Sequence, residues 1–182
     1  MPATFFVVGK MAVRYPYLIR EISRQGHEVA NHTFSHPNLA RVDDKTLLNE
    51  LGQTRRVIQN LTGHDTMLYR PPGGDFSRRS LKVASKAGYH MILWTVLTKD
   101  VNGASSAVMR RHILNSVSDG SIVLMHSGMP NTVDMLPGVI AELREEGYHF
   151  VTVSQLLGFD HSLGGFQLTP AADAPAVSVA SK

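Results

Sequence analysis

The chain has 182 residues, of which 43% are hydrophobic, and its 18 lysines and arginines against 15 aspartates and glutamates leave a net charge of +3. This length predicts one domain with a substantial core and is too short for two. The basic residues are scattered in pairs, which argues against nucleic acid as a partner, and a sequence without cysteine excludes disulfides, a thiolate nucleophile and cysteine-ligated zinc.

Short apolar runs alternate with amphipathic stretches along the chain, a pattern typical of β/α units and a largely parallel sheet. The predicted strands are residues 4–8, 28–30, 67–69, 91–96, 122–125 and 150–153. The predicted helices are residues 12–25, 45–61, 78–87, 107–117 and 133–146, with Pro137 as a kink in the last. The Gly, Ala, Pro and Ser content beyond Leu157 predicts a disordered tail over 159–182, which leaves a domain over 1–158.

Neither a membrane-spanning segment nor an export signal is predicted from the sequence. No stretch approaches the roughly 20 apolar residues of a membrane span. The apolar run Ala3–Val8 lacks the charged lead-in and the length of a signal peptide. We therefore expect no transmembrane segment and no export signal in the chain as given.

The hexapeptide His32–Pro37 carries two histidines four residues apart. On one helical turn both rings would lie on the same face and could bind one metal ion, and Pro37 would end that turn. Histidines also fall at this spacing by chance, so the spacing alone is weak evidence for a metal site.

Polar residues stand at several predicted strand ends, where parallel β/α folds build their sites. They are the pair His32 and His36, then Arg70, Asp100 and His126. Such a set suits metal-assisted hydrolysis, because two imidazoles can hold a divalent ion and Arg70 can orient a carboxylate base. His126 could protonate a leaving amine, and the amides of the turn at Pro72–Gly74 suit an oxyanion, although proline and glycine also simply form turns.

Five segments resemble, in order, motifs of the NodB-type polysaccharide deacetylases (carbohydrate esterase family four), which remove acetyl groups from N-acetylated sugars. They are Ala3–Gly9, Gly26–Pro37, Arg70–Gly74, Ser121–Gly128 and Gly147–Leu157. Each segment alone is weak evidence, but five in family order extend over most of the chain and make the resemblance specific.

The resemblance implies an α/β fold, a distorted (β/α) barrel lacking its first β/α unit. It implies a hydrolase of carbon–nitrogen bonds other than peptide bonds, namely a metal-dependent N-deacetylase in carbohydrate metabolism. The expected cofactor is a divalent metal, foremost zinc, with cobalt or manganese as alternatives. The expected partner is an N-acetylated glycan of the cell-wall or chitin type, and the expected location is secreted or in the cell envelope.

The family pattern also assigns roles to individual residues of this chain. His32 and His36 match the metal-binding pair, Arg70 matches the arginine that holds the catalytic base, and His126 matches the general acid. The amide of Gly73 falls where the family builds its oxyanion hole, and Leu124 matches the apolar residue that lines the acetyl pocket.

The chain departs from the family at several positions. The Asp-Asp pair that supplies the general base and the third metal ligand would precede residue 3, and since residue 4 already lies in a predicted strand, we interpret the chain as truncated at its N-terminus. Gly73 stands where an aromatic is frequent, Leu97 where an aspartate often tunes the acid histidine, and Val101 where tryptophan is frequent. Asp100 remains as a possible support.

No other carboxylate is predicted to replace the missing pair, because Asp43, Asp44 and Asp75 are interpreted as capping and turn residues. Hydrolysis by this chain is therefore expected to be slow or absent. Two other functions stay open: a catalytically inactive glycan-binding module derived from a deacetylase, and an iron oxygenase that uses two histidines and one carboxylate. The sequence does not indicate which glycan or metal is bound, or the oligomeric state.

Overall fold

The computed structural model describes residues 1–159 and the backbone of residues 176–181. Two compact units make up the chain. The first unit is Phe5–Leu93, and the second unit is Met1–Thr4 together with Trp94–Lys182. This division is finer than the one domain predicted over residues 1–158.

Four strands, all but the first residue of β1 in the first unit, lie side by side in the order β4, β3, β2, β1. They are β1 (Thr4–Val7), β2 (Glu28–Asn31), β3 (Leu68–Tyr69) and β4 (His90–Met91). The pairs β2/β3 and β3/β4 are parallel, with Asn31 opposite Tyr69 and Leu68 opposite His90. The carboxyl ends of these parallel strands therefore lead into the segments that carry His32 and Arg70.

Four α-helices accompany these strands: α1 (Gly9–Arg14), α2 (Pro16–Arg24), α3 (Asp44–Thr62) and α4 (Arg78–Lys86). The prediction of one helix over 12–25 is wrong, because Tyr15 has φ −127° and ψ 58° and Pro16 begins a new helix. A proline disfavours helical conformation in the residue before it and suits the first helical position. Asp43 caps α3 as predicted, accepting a hydrogen bond from the amide of Thr46 at 2.7 Å.

Helix α3 is held by apolar contacts in two clusters of the first unit. One cluster consists of Leu39, Leu47, Leu51, Tyr69, Ala84 and Tyr89. The other consists of Ala12, Ile19, Val29 and Ile58. Because α3 contributes side chains to both clusters, its position relative to β2 is fixed by burial of apolar surface.

The second unit contains β5 (Val96–Leu97), β6 (Ile122–Met125), β7 (His149–Val151) and β8 (Ala176–Ser181). The pairs β5/β6, β6/β8 and β7/β8 are parallel. Its α-helices in the described ranges are α5 (Ser106–Ser116), α6 (Pro130–Glu145) and α7 (Val153–Leu156), and Pro137 lies inside α6. None of the helices described is long and apolar enough to cross a membrane.

Two predictions about the second half of the chain are wrong. Residues 92–95 do not continue a strand from Met91 to Val96, and the carbonyls of Ile92 and Leu93 instead accept hydrogen bonds from the Arg70 guanidinium. Residues 176–181 of the predicted tail form β8, because β6 and β7 both pair with this backbone. Residues 160–175 lie outside the described residues.

Candidate active site

The histidine loop, His32–Pro37, follows β2 and is irregular rather than a helical turn. Thr33 and His36 both adopt positive φ, 66° and 64°. The two imidazole rings nevertheless meet edge to face, with centroids 4.9 Å apart and planes at 77°. The prediction that one helical turn would join the histidines is therefore wrong, but the loop brings their rings together.

His32 is held in one orientation by a backbone carbonyl. Its side chain is buried, and its Nδ1 lies 2.7 Å from the carbonyl oxygen of Arg70. A carbonyl only accepts hydrogen bonds, so Nδ1 carries the proton and Nε2 carries the lone pair. Metal-binding histidines are typically oriented in this way by a partner on the other ring nitrogen.

The residues present fit part of a metal site. Two imidazoles in contact, one with its tautomer fixed, can supply two nitrogen ligands to a divalent ion such as zinc. Within residues 1–159, no group of three histidine, cysteine, aspartate or glutamate side chains is close enough to hold a metal ion. The third protein ligand that the family resemblance implies is therefore not found among the described residues.

Arg70 lies at the end of β3 and is fully buried. Its Nε and Nη2 donate to the carbonyls of Ile92 and Leu93 at 3.3 and 3.0 Å, and its guanidinium carbon lies 4.1 Å from the centroid of the Phe6 ring. Burial lowers the pKa of Arg70 to about 9, which leaves the side chain cationic at neutral pH. Its role in holding a catalytic base stays a prediction.

The turn after Arg70 is a 3₁₀ helix at Pro72–Gly74, in which Gly73 has φ 66°. Gly73 is exposed, as a role for its amide in binding an oxyanion requires. A Cβ added at this glycine would meet only Asp75, at 3.6 Å, so the positive φ rather than lack of space favours glycine here. Asp75 accepts a hydrogen bond from Asn38 at 2.9 Å, and Asp44 in the first turn of α3 pairs with Arg79.

His126 and Asp100 form a pair in the second unit. Nδ1 of His126 lies 2.7 Å from Oδ1 of Asp100, and the Asp100 side chain is completely buried. Burial raises the pKa of Asp100, but hydrogen bonds from the backbone and ring of His126, with a further one from Thr132, outweigh it and lower the pKa overall. The carboxylate is therefore ionised at neutral pH and fixes the Nδ1 proton of His126, which leaves Nε2 for proton transfer.

Three other predicted positions lie near this pair in the sequence. Leu124 on β6 is buried and pairs with Leu97 on β5, and its role in lining an acetyl pocket stays a prediction. Val101 is 53% exposed, so the position where the family frequently has tryptophan presents a small apolar side chain to solvent.

Three residues that form hydrogen bonds with residues of the candidate site are not predicted from the sequence. Glu50 on α3 accepts hydrogen bonds from the histidine loop, Asn31 accepts one from the Thr33 amide, and Thr132 donates to Asp100. Glu50 lies between Leu47 and Leu51 on the packed face of α3. A carboxylate among leucines on that face indicates a residue with a polar partner, and this signal is visible in the sequence. Thr132 carries no such signal.

Comparison with known proteins identifies relatives of this chain. The family model for polysaccharide deacetylase matches residues 1–92. A peptidoglycan-N-acetylglucosamine deacetylase of Bacillus cereus is 33% identical over 158 residues, which cover 85% of this chain and 58% of that protein. The chain therefore spans little more than half the length of that relative.

Two solved structures share the fold. The crystal structure of a peptidoglycan N-acetylglucosamine deacetylase in complex with 4-naphthalen-1-yl-N-oxidanyl-benzamide matches with a TM-score of 0.85 and 32% identity, covering 88% of this chain and 77% of that one. A CE4 family pseudoenzyme from Bacillus anthracis matches with a TM-score of 0.84 and 27% identity, covering 98% of this chain and 59% of that one.

These matches confirm the resemblance found in the sequence motifs and the α/β fold that it implies. The parallel strands of both units agree with that fold. The chain belongs to the polysaccharide deacetylase family.

Proposed function

We propose that this protein is a metal-dependent N-deacetylase that removes acetyl groups from N-acetylated sugars of peptidoglycan, at a rate reduced in this chain by the lack of a third metal ligand among the described residues. The observation that carries the proposal is the His126–Asp100 pair, with its 2.7 Å contact and its buried carboxylate. A buried, ionised aspartate behind a partly exposed imidazole is the arrangement that general acid catalysis needs.

His126 supplies the proton in this proposal. The Asp100 carboxylate holds Nδ1–H of His126, so Nε2–H is the group that protonates the leaving amine. The amide of His126 also donates to Asp100 at 2.6 Å. Two donors from one residue to one carboxylate leave the ring little freedom to rotate away.

The remaining residues bind and orient. His32 and His36 would hold the metal, which would supply polarisation of an amide carbonyl and activation of a water molecule. The Gly73 amide stabilises the oxyanion, and Leu124 lines the site of the acetyl methyl. Arg70 would orient a catalytic base, which is not identified among the described residues. The relatives named as peptidoglycan deacetylases support the choice of substrate, and such a substrate implies a place of action in the cell envelope.

Acetate release tests the proposed activity. The purified protein, freed of metal by chelation and then supplied with zinc, cobalt or manganese, is incubated with N-acetylated peptidoglycan and with chitin oligomers. We expect slow, metal-dependent acetate release from peptidoglycan. His126→Ala should abolish it, while His112→Ala, at an exposed histidine on α5, should leave it unchanged. Release that persists without metal or in His126→Ala would contradict the proposal.

An inactive glycan-binding module is the second candidate. Its support is the lack of a third metal ligand among the described residues, together with the likeness to a CE4 family pseudoenzyme. Binding of peptidoglycan fragments that is equal in the unaltered protein and in His126→Ala, with no acetate released under any of the three metals, would favour it over the enzyme.

A further inference from the structure

Every main-chain amide from His32 to His36 has an identified acceptor. His32 donates to the carbonyl of Val7 and Thr33 to the side chain of Asn31, at 3.0 and 2.9 Å. His36 donates to Oγ1 of Thr33 at 3.2 Å. The amides of the remaining two residues, Phe34 and Ser35, both donate to Glu50.

Glu50 makes three hydrogen bonds to the middle of the histidine loop. Its Oε2 accepts from the amides of Phe34 and Ser35 at 2.8 and 2.7 Å, and its Oε1 accepts from the hydroxyl of Ser35 at 2.7 Å. Hydrogen bonds to a charged acceptor are about twice as strong as neutral ones. One carboxylate therefore accounts for all the donors at the centre of the loop.

The opposite side of the loop is held by the first residues of α1. The amides of Gly9 and Lys10 donate to the carbonyls of Thr33 and Phe34, each at 2.9 Å. A Cβ on Gly9 would lie 2.5 Å from Phe34 Cδ2, so only glycine permits this approach. The loop is thus held from two sides. Helix α1 donates hydrogen bonds to its carbonyls, and Glu50 accepts hydrogen bonds from its amides.

These hydrogen bonds are needed because the loop backbone is strained. Positive φ is unfavourable for Thr33, a β-branched residue, and is uncommon for His36. Conformations of this kind persist only where the surroundings over-determine them. Glu50 lies on α3 beside the fully buried Leu47 and Leu51, so its carboxylate is presented from a fixed element.

We propose that Glu50 is a positioning residue, which sets the backbone conformation between His32 and His36 and thereby brings the two imidazoles to the geometry that binds a metal. Its effect on metal affinity rests on the proposed function. Its effect on the loop conformation does not, which makes the two separable by experiment.

The test compares Glu50→Ala and Glu50→Gln with Asn49→Ala, an exposed position on the same helix. Glutamine can still accept from both amides through Oε1 and donate to the Ser35 hydroxyl through Nε2. Ser35→Ala removes only the hydrogen bond from the Ser35 hydroxyl to Glu50. If Glu50→Ala does not fold, this milder variant is measured in its place. The two readouts are hydrogen exchange and ¹⁵N shifts of the Phe34 and Ser35 amides without metal, and zinc affinity by competition with a chromophoric chelator.

We expect Glu50→Ala to speed exchange of both amides by roughly tenfold or more, because it removes hydrogen bonds to a charged group. Zinc affinity should fall by about 10–100-fold, the usual effect of losing a residue that orients metal ligands. Glu50→Gln should restore most of both properties, and Asn49→Ala should change neither.

Unchanged exchange at Phe34 and Ser35 in Glu50→Ala would overturn the inference outright. Faster exchange with unaltered zinc affinity would overturn the link from loop conformation to metal binding. If the unaltered protein itself binds no zinc, the proposed metal dependence fails together with that link, and amide exchange alone decides whether Glu50 sets the loop.

Discussion

Substituting Asp100 by asparagine should destabilise the protein because the buried carboxylate accepts four hydrogen bonds. Oδ1 accepts from the Val101 amide at 3.0 Å and from His126 Nδ1 at 2.7 Å. Oδ2 accepts from the His126 amide at 2.6 Å and from the Thr132 hydroxyl at 3.2 Å. An asparagine has only one oxygen, so its NH₂ group must face one of these two sets of donors.

The loss of stability depends on which hydrogen-bond donors can change role and accept from the asparagine NH₂ group. With NH₂ at the Oδ1 position, the His126 ring can change tautomer and accept, but the Val101 amide loses its acceptor. With NH₂ at the Oδ2 position, the Thr132 hydroxyl can accept, but the His126 amide loses its acceptor. Either orientation leaves one backbone N–H unsatisfied, which costs about 1–3 kcal/mol, and replaces charged hydrogen bonds with neutral ones. We expect a loss of about 2–3 kcal/mol in the free energy of unfolding at pH 7.

The pH dependence has a definite sign. A carboxyl whose pKa is lowered on folding contributes stability that is fully present above its unfolded pKa of about 3.9 and is lost as the pH falls through the lower folded value. The difference between the unaltered protein and Asp100→Asn should therefore shrink below about pH 4. Urea unfolding at pH 7 and in this acidic range measures both quantities.

Asp134→Asn is the matched control, since Asp134 is exposed on α6. Its effect should stay within about 0.5 kcal/mol. If Asp100→Asn at pH 7 were no more destabilising than this control, the inference that four satisfied donors fix Asp100 would be wrong.

Substitutions at three other sites should change the free energy of unfolding in the same assay. Gly9→Ala should destabilise by about 1–3 kcal/mol through overpacking, because its Cβ would lie 2.6 Å from Thr54 Oγ1 and 3.1 Å from the Phe34 backbone. Gly52→Ala should instead stabilise α3 by about 0.5–1 kcal/mol, since its Cβ meets only Arg56 at 3.6 Å. If Gly9→Ala also stabilised the protein, the inference that Gly9 is closely packed would be wrong. Arg70→Lys should lower the free energy of unfolding by about 1–3 kcal/mol, because an ammonium cannot reproduce the two hydrogen bonds to carbonyls and the stacking on Phe6. Arg78→Lys, at an exposed position, should change it little. Equal effects of the two substitutions would contradict the assigned role of the Arg70 contacts.

Much of the fold could be predicted because its signals are local. Helix α3 has leucines at helical spacing, an aspartate cap at Asp43 and Gly63 with φ 77° at its end. The break between α1 and α2 also has a local signal in Pro16, but the apolar periodicity beyond it favours one continuous helix. Strand β8 is not predicted, because the Gly, Ala, Pro and Ser composition beyond Leu157 favours disorder, and the alternation of Val177 and Val179 with smaller residues is a weaker signal.

The candidate site was predictable in its residues but not in its conformation. Motif order selected His32, His36 and His126, whereas their geometry depends on partners far along the chain. Glu50 is 15 or 16 residues from the amides it binds, and Asp100 is 26 residues from His126. No periodicity connects such pairs, so the sequence marks Asp100 only as a possible support, and the folded chain shows that it holds His126.

Strand β8 has a practical consequence for how the protein is produced. It pairs with β6 along Ile122–Met125 and with β7 along His149–Val151. A recombinant version ending at residue 158 would leave both strands with unpaired N–H and C=O groups, which is the surface through which sheets of separate molecules join. We expect that version to aggregate on purification, although the residues removed look dispensable by composition.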